Sequence, residues 1–540
     1  MTKCLLVSPR FLGDNYWNYH EVCELIGARY PATPLGLVTV AALLPPEWEL
    51  RLLDLNVREM DTALIDWADI VITGGMITQQ RSLLSLVELC HARGKGIAVG
   101  GPDPTSQPET YVGADFLVLD EGEMTIPKFL ADLEAGVRHG TYRSAEKADM
   151  TKSPAPRFDL LEPTKYLHVG VQSARGCPFN CEFCDVIELY GRKPRTKTPG
   201  QVLQELERLY QVGYRGHVDF VDDNFIGNKK KVMALLPELL AWSRERNFPF
   251  YFSTEASINL ADDPKLLAMM EAVDFRYVFV GIETPDKDLL VRTQKKQNTR
   301  HPIVDSIHRL YCHGMVVTAG FIVGFDGETR TAAESIVACV EAAGIPMARV
   351  LLLTALPNTQ FTRRLAREGR LFEGYSLQPP AEVDQGMGGL NFVPTRPRVE
   401  ILEDYASIVR HLYSPKSYFD QVLRATGLLR RQSKQLGLRR GRSKELAAFA
   451  KLIWRLGFGR ETAYYFWRNL FRTLVTRPRN FKAAAHLMAC FLHFRRQTLF
   501  TVDGIERKIA GLRGEPEETA DLRPATSMFT APPGSPSARC

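Results

Sequence analysis

The residues with the plainest capacity for chemistry are three thiols. Cys177, Cys181 and Cys184 lie in the stretch SARGCPFNCEFCDVIELYGRKPRTKTP, residues 173–199, at the spacing Cys-x3-Cys-x2-Cys, and the next cysteine is Cys312. Thiols so grouped hold a metal ion or an iron–sulfur cluster, and the absent fourth thiol separates the options. A structural zinc site needs four protein ligands. His168, Asp185 and His217 are the nearest non-cysteine candidates, and none stands at a zinc-finger spacing. A [4Fe–4S] cluster takes one thiolate per iron, so three cysteines leave one iron open to a substrate or cofactor. Gly176 and Pro178 shape a tight loop around such a bulky group, and Phe183 can shield it from water.

These thiols need strands to hold them. From residue 168, HVGVQSA, HVDFVDD, PFYFSTEA, YVFVGIET, VVTAGFIVGF and ARVLLLTALP read as strands, and PGQVLQELERLYQVG and KKKVMALLPELLAWSRERN read as helices between them. Six β/α units are too few for a closed eight-fold barrel and suit a partial one, open on one side. The cysteines follow its first strand, on the C-terminal face where such barrels carry their chemistry. Other strand ends hold polar or small residues: Asp222, Asp223 and Asn224 in FVDDNF, Glu255 in STEAS, Glu283 in GIETP, and Gly320, Ile322 and Gly324 in GFIVGFDGE. Singly, acids at strand ends commonly cap the next helix. Together, in order around one barrel, they form a constellation with the thiols.

The first 143 residues alternate in the same way, with KCLLVSP, ELRLLDLN, DIVITGGM, GIAVGGP and DFLVLDEG as strands. Five strands with intervening helices make an open, mostly parallel sheet whose ligand crevice lies at the strand C-termini. The first strand runs into Ser8, Pro9 and Arg10 without the Gly-x-Gly-x-x-Gly of a dinucleotide site. Instead Gly74–Gly75, Gly100–Gly101 and Glu121–Gly122 close later strands. Such glycines let backbone lie against a large ligand, or serve only as turns. The polar, Pro-containing segment 144–163 reads as a linker to the barrel, residues 164–385. Beyond it the strand signal fades into a helical domain, 386–512, and a Pro-, Ser- and Glu-rich disordered tail, 513–540.

Composition narrows the function classes. The seven remaining cysteines are scattered, which excludes a disulfide framework and points to a reducing, cytoplasmic setting. No apolar run approaches the ~20 residues of a membrane span, and the N-terminal run is too brief for a signal peptide. Residues 424–500 hold 18 Lys and Arg against two Glu, an excess of +16 that leaves −10 elsewhere in a chain of net charge +6. Aromatic and apolar residues interleave this basic region in AYYFWRNLFRTLVTRPRNFK. That pattern suits RNA, an anionic membrane surface, or a solvated basic face. The apolar character of the helices and the lack of an RNA-binding signature favour peripheral contact with the inner membrane face, with no nucleic acid.

The Cys-x3-Cys-x-Phe-Cys loop on a partial barrel resembles the radical S-adenosylmethionine (SAM) superfamily, and the preceding α/β domain resembles its cobalamin-binding branch. The resemblance implies an α/β protein with a Rossmann-like cobalamin-binding domain, a (β/α)6 partial barrel and a helical C-terminal domain. It implies a [4Fe–4S] cluster on Cys177, Cys181 and Cys184. It implies SAM contacts from Phe183, Asp222, Asp223, Asn224, Glu255, Glu283, Gly320, Ile322 and Gly324. It implies cobalamin contacts from Ser8, Pro9, Arg10, Gly74, Gly75, Gly100, Gly101, Glu121 and Gly122. The Asp-x-His-x-x-Gly motif of some cobalamin proteins is missing, and His20 lacks its context. The longer pattern, from LIGARYPATPLGLVTVAALLP through RGCPFNCEFCDVIELYGRKPRTKTP and FVDDNFIGN to SYFDQVLR, is similar to hopanoid C-2 methylases and their relatives. This wider resemblance implies C-methylation of an unactivated sp3 carbon in a polycyclic lipid, with a reductant such as ferredoxin or flavodoxin. Cyclisation or oxidation with the same cofactors, and a non-catalytic sensor, are the alternatives.

Overall fold

The structure, a computed structural model, describes residues 1–11, 15, 18–372, 388–430 and 442–514. The expected tail lies outside these residues apart from 513–514, as do 431–441 of the basic region and 373–387 at the end of the barrel.

Two parallel sheets carry the architecture. The first is built from β1 (Lys3–Ser8), β3 (Glu49–Asp54), β4 (Ile70–Gly74), β5 (Gly96–Gly100), β6 (Phe116–Val118) and β7 (Gly140–Tyr142) in the order β3-β1-β4-β5-β6-β7. Its strands are buried on both faces, which is why Cys4, Leu5, Leu6 and Val7 form one continuous apolar run rather than an alternation. The order reverses between β1 and β4, so the crevice of this doubly wound sheet opens beyond Ser8 and Gly74. The second sheet follows the order β15-β14-β13-β12-β11-β8-β2. Its members are β2 (Tyr30–Ala32), β8 (Tyr166–Val171), β11 (Gly216–Phe220), β12 (Phe250–Glu255), β13 (Phe275–Glu283), β14 (Val316–Val323) and β15 (Met347–Leu352). A two-residue hairpin, β9 (Ala174–Arg175) with β10 (Arg195–Thr196), brackets the cysteine loop.

The partial barrel therefore has its six expected strands and a seventh, β2, contributed from within the N-terminal region. Three residues containing Pro31 give too little periodicity to read as a strand, and an edge position is where a sheet tolerates proline. The first sheet likewise gains β7, three residues long, at its edge. The segment 144–163 is packed rather than free-running: Met150, Phe158 and Leu161 are buried, and Arg157 donates its N–H to the Val38 carbonyl at 2.9 Å.

Around the barrel, helices start where local chemistry dictates. Thr198 and Gln201 form a capping box with Pro199 between them, opening a helix whose Val202, Leu206 and Leu209 face the sheet. On the open side lie the C-terminal helices Arg398–Leu412, Pro415–Leu428, Arg442–Gly457, Ala463–Thr476 and Phe481–Gly514. Helix His20–Ile26 is wedged against them. Glu21 pairs with His493 and Arg496 at 3.0 Å each, and Glu24 with Arg455 at 2.9 Å. Among the described residues no helix is long and apolar enough to cross a membrane.

Candidate active site

The cysteine loop leaves β8 and is closed by backbone. Gly176 takes φ +91°, a conformation that favours glycine, and a Cβ there would stand 2.8 Å from the Gly191 carbonyl oxygen. Its N–H donates to Asp223 Oδ2 at 2.6 Å, and the Cys177 N–H donates to the Gly191 carbonyl at 3.2 Å. Farther along, the Glu182 N–H donates to Thr293, its carbonyl accepts from Phe361, and its carboxylate pairs with Arg364. The loop is thus tied to three other segments before any cofactor binds.

The sulfurs meet donors. Asn224 Nδ2 lies 3.7 Å from Cys177 Sγ and Gln297 Nε2 lies 3.7 Å from Cys181 Sγ. Burial raises the Cys181 and Cys184 thiols above the ordinary range, and the nearby Lys295 ammonium opposes that rise at both. Lys295 is half-buried, paired with Glu283, and 5.9 Å from the Phe183 ring. Amide donors and a fixed cation suit sulfurs that become thiolates on binding iron. Among the described residues no three His, Cys, Asp or Glu converge tightly enough to hold a single metal ion, whereas the thiolates of a cubane each take a different iron.

The strand-end residues divide. Asp222 is fully engaged: it accepts from the Ser173 N–H (2.7 Å), the Ala174 N–H (3.0 Å) and the Ser173 hydroxyl. It ties the Ser173–Ala174 turn that follows β8 to the end of β11. Asp223 shapes the loop through Gly176, and Asn224 bridges Cys177 and Ser257. Glu283 is held by Lys295. Gly320 and Ile322 point, with Thr318, into the half-barrel, but a Cβ on Gly320 would stand 3.0 Å from Phe279 Cζ, so this glycine makes room for a ring of the protein. The Gly324 N–H donates to buried Glu328 at 2.9 Å. Glu255 differs from all of these. It opens onto the central cavity, and its carboxylate makes no hydrogen bond or ion pair among the described residues. The enclosing cavity wall, reinforced by Asp219 and opposed by Arg349, lifts the carboxyl of this cavity-exposed side chain to about 7.

That cavity, about 1780 Å³, runs between the C-terminal edge of the first sheet and the interior of the half-barrel. Ser8, Gly74, Gly75, Gly100, Gly101, Glu121 and Gly122 all line it. Pro9 and Arg10 do not. Arg10 turns away to Glu59 (2.7 Å) and the Leu55 carbonyl (3.0 Å), and the Pro9 carbonyl accepts from Asn56 and Gln79. His20 pairs with Glu24 at 3.2 Å on its own helix, away from the cavity wall. The glycines have a packing reason first: Gly101 has φ +99°, and a Cβ there would lie 2.9 Å from the Gly75 nitrogen, so adjacent strand ends cross backbone on backbone.

Two features escaped the sequence reading. Arg175, two residues before Cys177, reaches Glu121 at 3.0 Å and Glu123 at 2.9 Å, and Arg195 reaches Glu121 at 2.8 Å. This buried cluster latches the cysteine loop to the first sheet. The signal was present as an Arg beside the first cysteine and two acids in DEGE, but nothing in one dimension pairs them. The second feature is the polar wall of the barrel. The Ser253 hydroxyl donates to Asp219 and lies 2.6 Å from His217 Nε2, and His168 and Tyr251 flank His217 at ring separations of 5.2 and 4.9 Å. Burial holds His168 and His217 below the ordinary histidine range.

A parallel partial barrel with three cluster-type thiols, facing a doubly wound sheet across a shared cavity, defines an iron–sulfur barrel enzyme with a second cofactor-type domain. The radical SAM superfamily profile matches residues 171–340, and a domain of unknown function (DUF4070) matches residues 359–507. The chain is 44% identical over 494 residues to an uncharacterised methyltransferase of Synechocystis sp., covering 91% of each. It is 32% identical over 484 residues to the hopanoid C-2 methylase of Rhodopseudomonas palustris, covering 88% of this chain and 89% of that one. Its fold matches the radical SAM methyltransferase TsrM of Kitasatospora setae, solved with cobalamin and a [4Fe–4S] cluster, with TM-score 0.59 and 15% identity over 95% of this chain and 100% of that one. The chain belongs to the radical SAM family, and it is a radical SAM methyltransferase. The family brings a [4Fe–4S] cluster and SAM, and the thiols with their amide donors and Lys295 fit the first of these.

Proposed function

We propose that this protein is a cobalamin-dependent radical SAM C-methyltransferase that methylates an unactivated sp3 carbon of a polycyclic lipid, at C-2 of a hopanoid. The observation that carries the reading is the single cavity shared by the glycine edge of the first sheet, the barrel interior and the C-terminal helices. Its volume exceeds the roughly 300–1,000 Å³ of ordinary small-molecule pockets, which suits a large cofactor and a large substrate together. Two buried acceptor or donor atoms in this wall, Glu121 Oε1 and His168 Nδ1, have no partner among the described residues. They suit the polar edge of a ligand such as cobalamin, which would rest on Gly74, Gly75, Gly100, Gly101 and Gly122. The 32% identity to a hopanoid methylase along 88% of the chain supports the substrate, and a TsrM-like fold supports the cofactor pairing.

When bound, the cofactors supply an electron, a hydrogen-abstracting group and a methyl donor, which a carbon without an acidic proton or lone pair requires. The chain's own residues arrange this chemistry. Cys177, Cys181 and Cys184 hold the cluster, with Asn224, Gln297 and Lys295 stabilising negative charge on sulfur. Glu255, its carboxylate facing the cavity with no partner among the described residues, is placed to accept hydrogen bonds from SAM hydroxyls. Arg175 keeps the two cofactor regions at a fixed separation, and the apolar walls exclude water from reactive carbon.

The test is anaerobic turnover of the reconstituted protein with reductant, hopanoid and SAM deuterated in its methyl group. The expected product is a hopanoid heavier by one CD3-for-H replacement. Formation of 5′-deoxyadenosine with no label in any lipid would overturn the methyl-transfer reading.

A further inference from the structure

Helix Ala463–Thr476 is turned the opposite way from an ordinary surface helix. Its buried side includes Asn469 and Thr473 beside Phe466 and Leu470. Its outward side carries Tyr464, Phe471, Leu474 and Val475, spaced i, i+7, i+10 and i+11, one stripe of a 3.6-residue helix, with half-buried Trp467 at its edge. Val475 is 82% exposed, and Trp454 and Phe458 extend the patch from the end of helix Arg442–Gly457, Trp454 at 74%. A contiguous group of large apolar side chains in water marks an interaction surface.

The surroundings of the patch say what covers it. Lys451, Arg460, Arg472, Arg477 and Arg479 are exposed and have no acidic partner among the described residues. Between residues 446 and 480 the one acid is Glu461, which Arg495 occupies at 3.4 Å. Two copies of so cationic a face repel each other. Leu474 and Val475 give a nucleic acid nothing to stack on. An apolar stripe rimmed by unpaired arginine is the composition of a helix lying in an anionic bilayer interface.

The other side of the same helices leads to the cavity. Phe449 and Leu452 line it from helix Arg442–Gly457, and Leu446 and Ile26 both line it and face solvent, so the mouth opens beside the patch. The Glu445–Lys482 ion pair, 2.9 Å, spans this mouth.

We infer that the face formed by Trp454, Phe458, Tyr464, Phe471, Leu474 and Val475 docks on an anionic lipid bilayer and sets the cavity mouth at the membrane surface. Docking stands on the patch itself, whereas loading of substrate through the mouth rests on the lipid-substrate reading above. The experiment is sedimentation of the full-length protein with phosphatidylcholine vesicles, with and without phosphatidylglycerol. The wild type binds the anionic vesicles and is released by salt. The triple variant Trp454→Ser/Phe471→Ser/Val475→Ser binds them at least ~10-fold more weakly, with unchanged thermal midpoint. Removing Arg472, Arg477 and Arg479 as glutamines weakens anionic binding by roughly fivefold each and leaves neutral binding unchanged. Equal binding by wild type and the triple variant overturns the inference, as does a wild-type dimer that the triple variant dissolves. Turnover of substrate in vesicles against substrate in detergent reads loading separately. The triple variant loses the first and keeps the second; if the wild type methylates neither, the substrate reading fails while the sedimentation result stands.

Discussion

The cysteine loop and the glycine edge of the first sheet meet through Arg175, yet they are held by opposite means. The loop is a network of side-chain contacts: Asp223 on the Gly176 amide, Glu182 on Arg364, Asn224 and Gln297 on sulfur. The edge has almost no side chains to use, and its strand ends are positioned by carbonyl and amide groups crossing within contact distance at Gly74, Gly100 and Gly101. The difference teaches where tolerance lies. A network fails when a charged member is lost and its partner is left stranded, whereas a backbone crossing fails on the addition of even one methyl group.

The most damaging way to break this comparison is at the sulfurs. Cys177→Ala, Cys181→Ala or Cys184→Ala should abolish both cluster binding, read from iron content and visible absorbance, and 5′-deoxyadenosine formation. Turnover retained in any one would sink the cluster assignment. Next comes the latch. Arg175→Met strands Glu123 in a buried site while Arg195 still neutralises Glu121, so a loss of about 3 kcal/mol, the lower end for a broken buried pair, should appear in denaturant unfolding of the apo-protein. A change under ~0.5 kcal/mol would mean that the two regions are held by packing alone.

Gly101→Ala should cost about 1–3 kcal/mol through its positive φ and the close Gly75 nitrogen, and should weaken cobalamin binding measured by absorbance titration. The smallest effect is electrostatic. Glu255 keeps its proton in the fold up to about 7 against an ordinary 4.5, so the folded state binds the extra proton. Its contribution to stability is present below about 4.5 and is lost as pH rises through about 7. Glu255→Gln should therefore raise the apo-protein's thermal midpoint at about pH 8 more than at about pH 5. Parallel profiles for the two proteins would show that Glu255 is well solvated.

The barrel was legible from its sequence because each strand repeats one short apolar run and each helix one amphipathic period. The thiols were legible because all three ligands sit on one loop. The first sheet was legible as alternation, but its sixth strand and β2 were not, since three residues hold too little pattern to separate a strand from a turn. Asp222 and Arg10 show the limit at the site. Both have the right type and place for a ligand, and each also makes hydrogen bonds with neighbours far away in sequence, which spacing alone does not reveal.

What the sequence by itself determined is chemistry that depends on local spacing: a cluster short of one protein thiolate, six β/α units to hold it, and a strongly basic C-terminal region. What only the tertiary structure decided is chemistry that depends on distant parts meeting. Arg175 and Glu121 are paired by the closure of one sheet over another. The Glu255 carboxylate, without a partner among the described residues, is distinguished from its occupied neighbours by what lies across the cavity. The outward turn of Tyr464, Phe471 and Val475 comes from which face of their helix the neighbouring helices bury. Periodicity fixes that a helix has two faces, and packing alone selects which of them meets water.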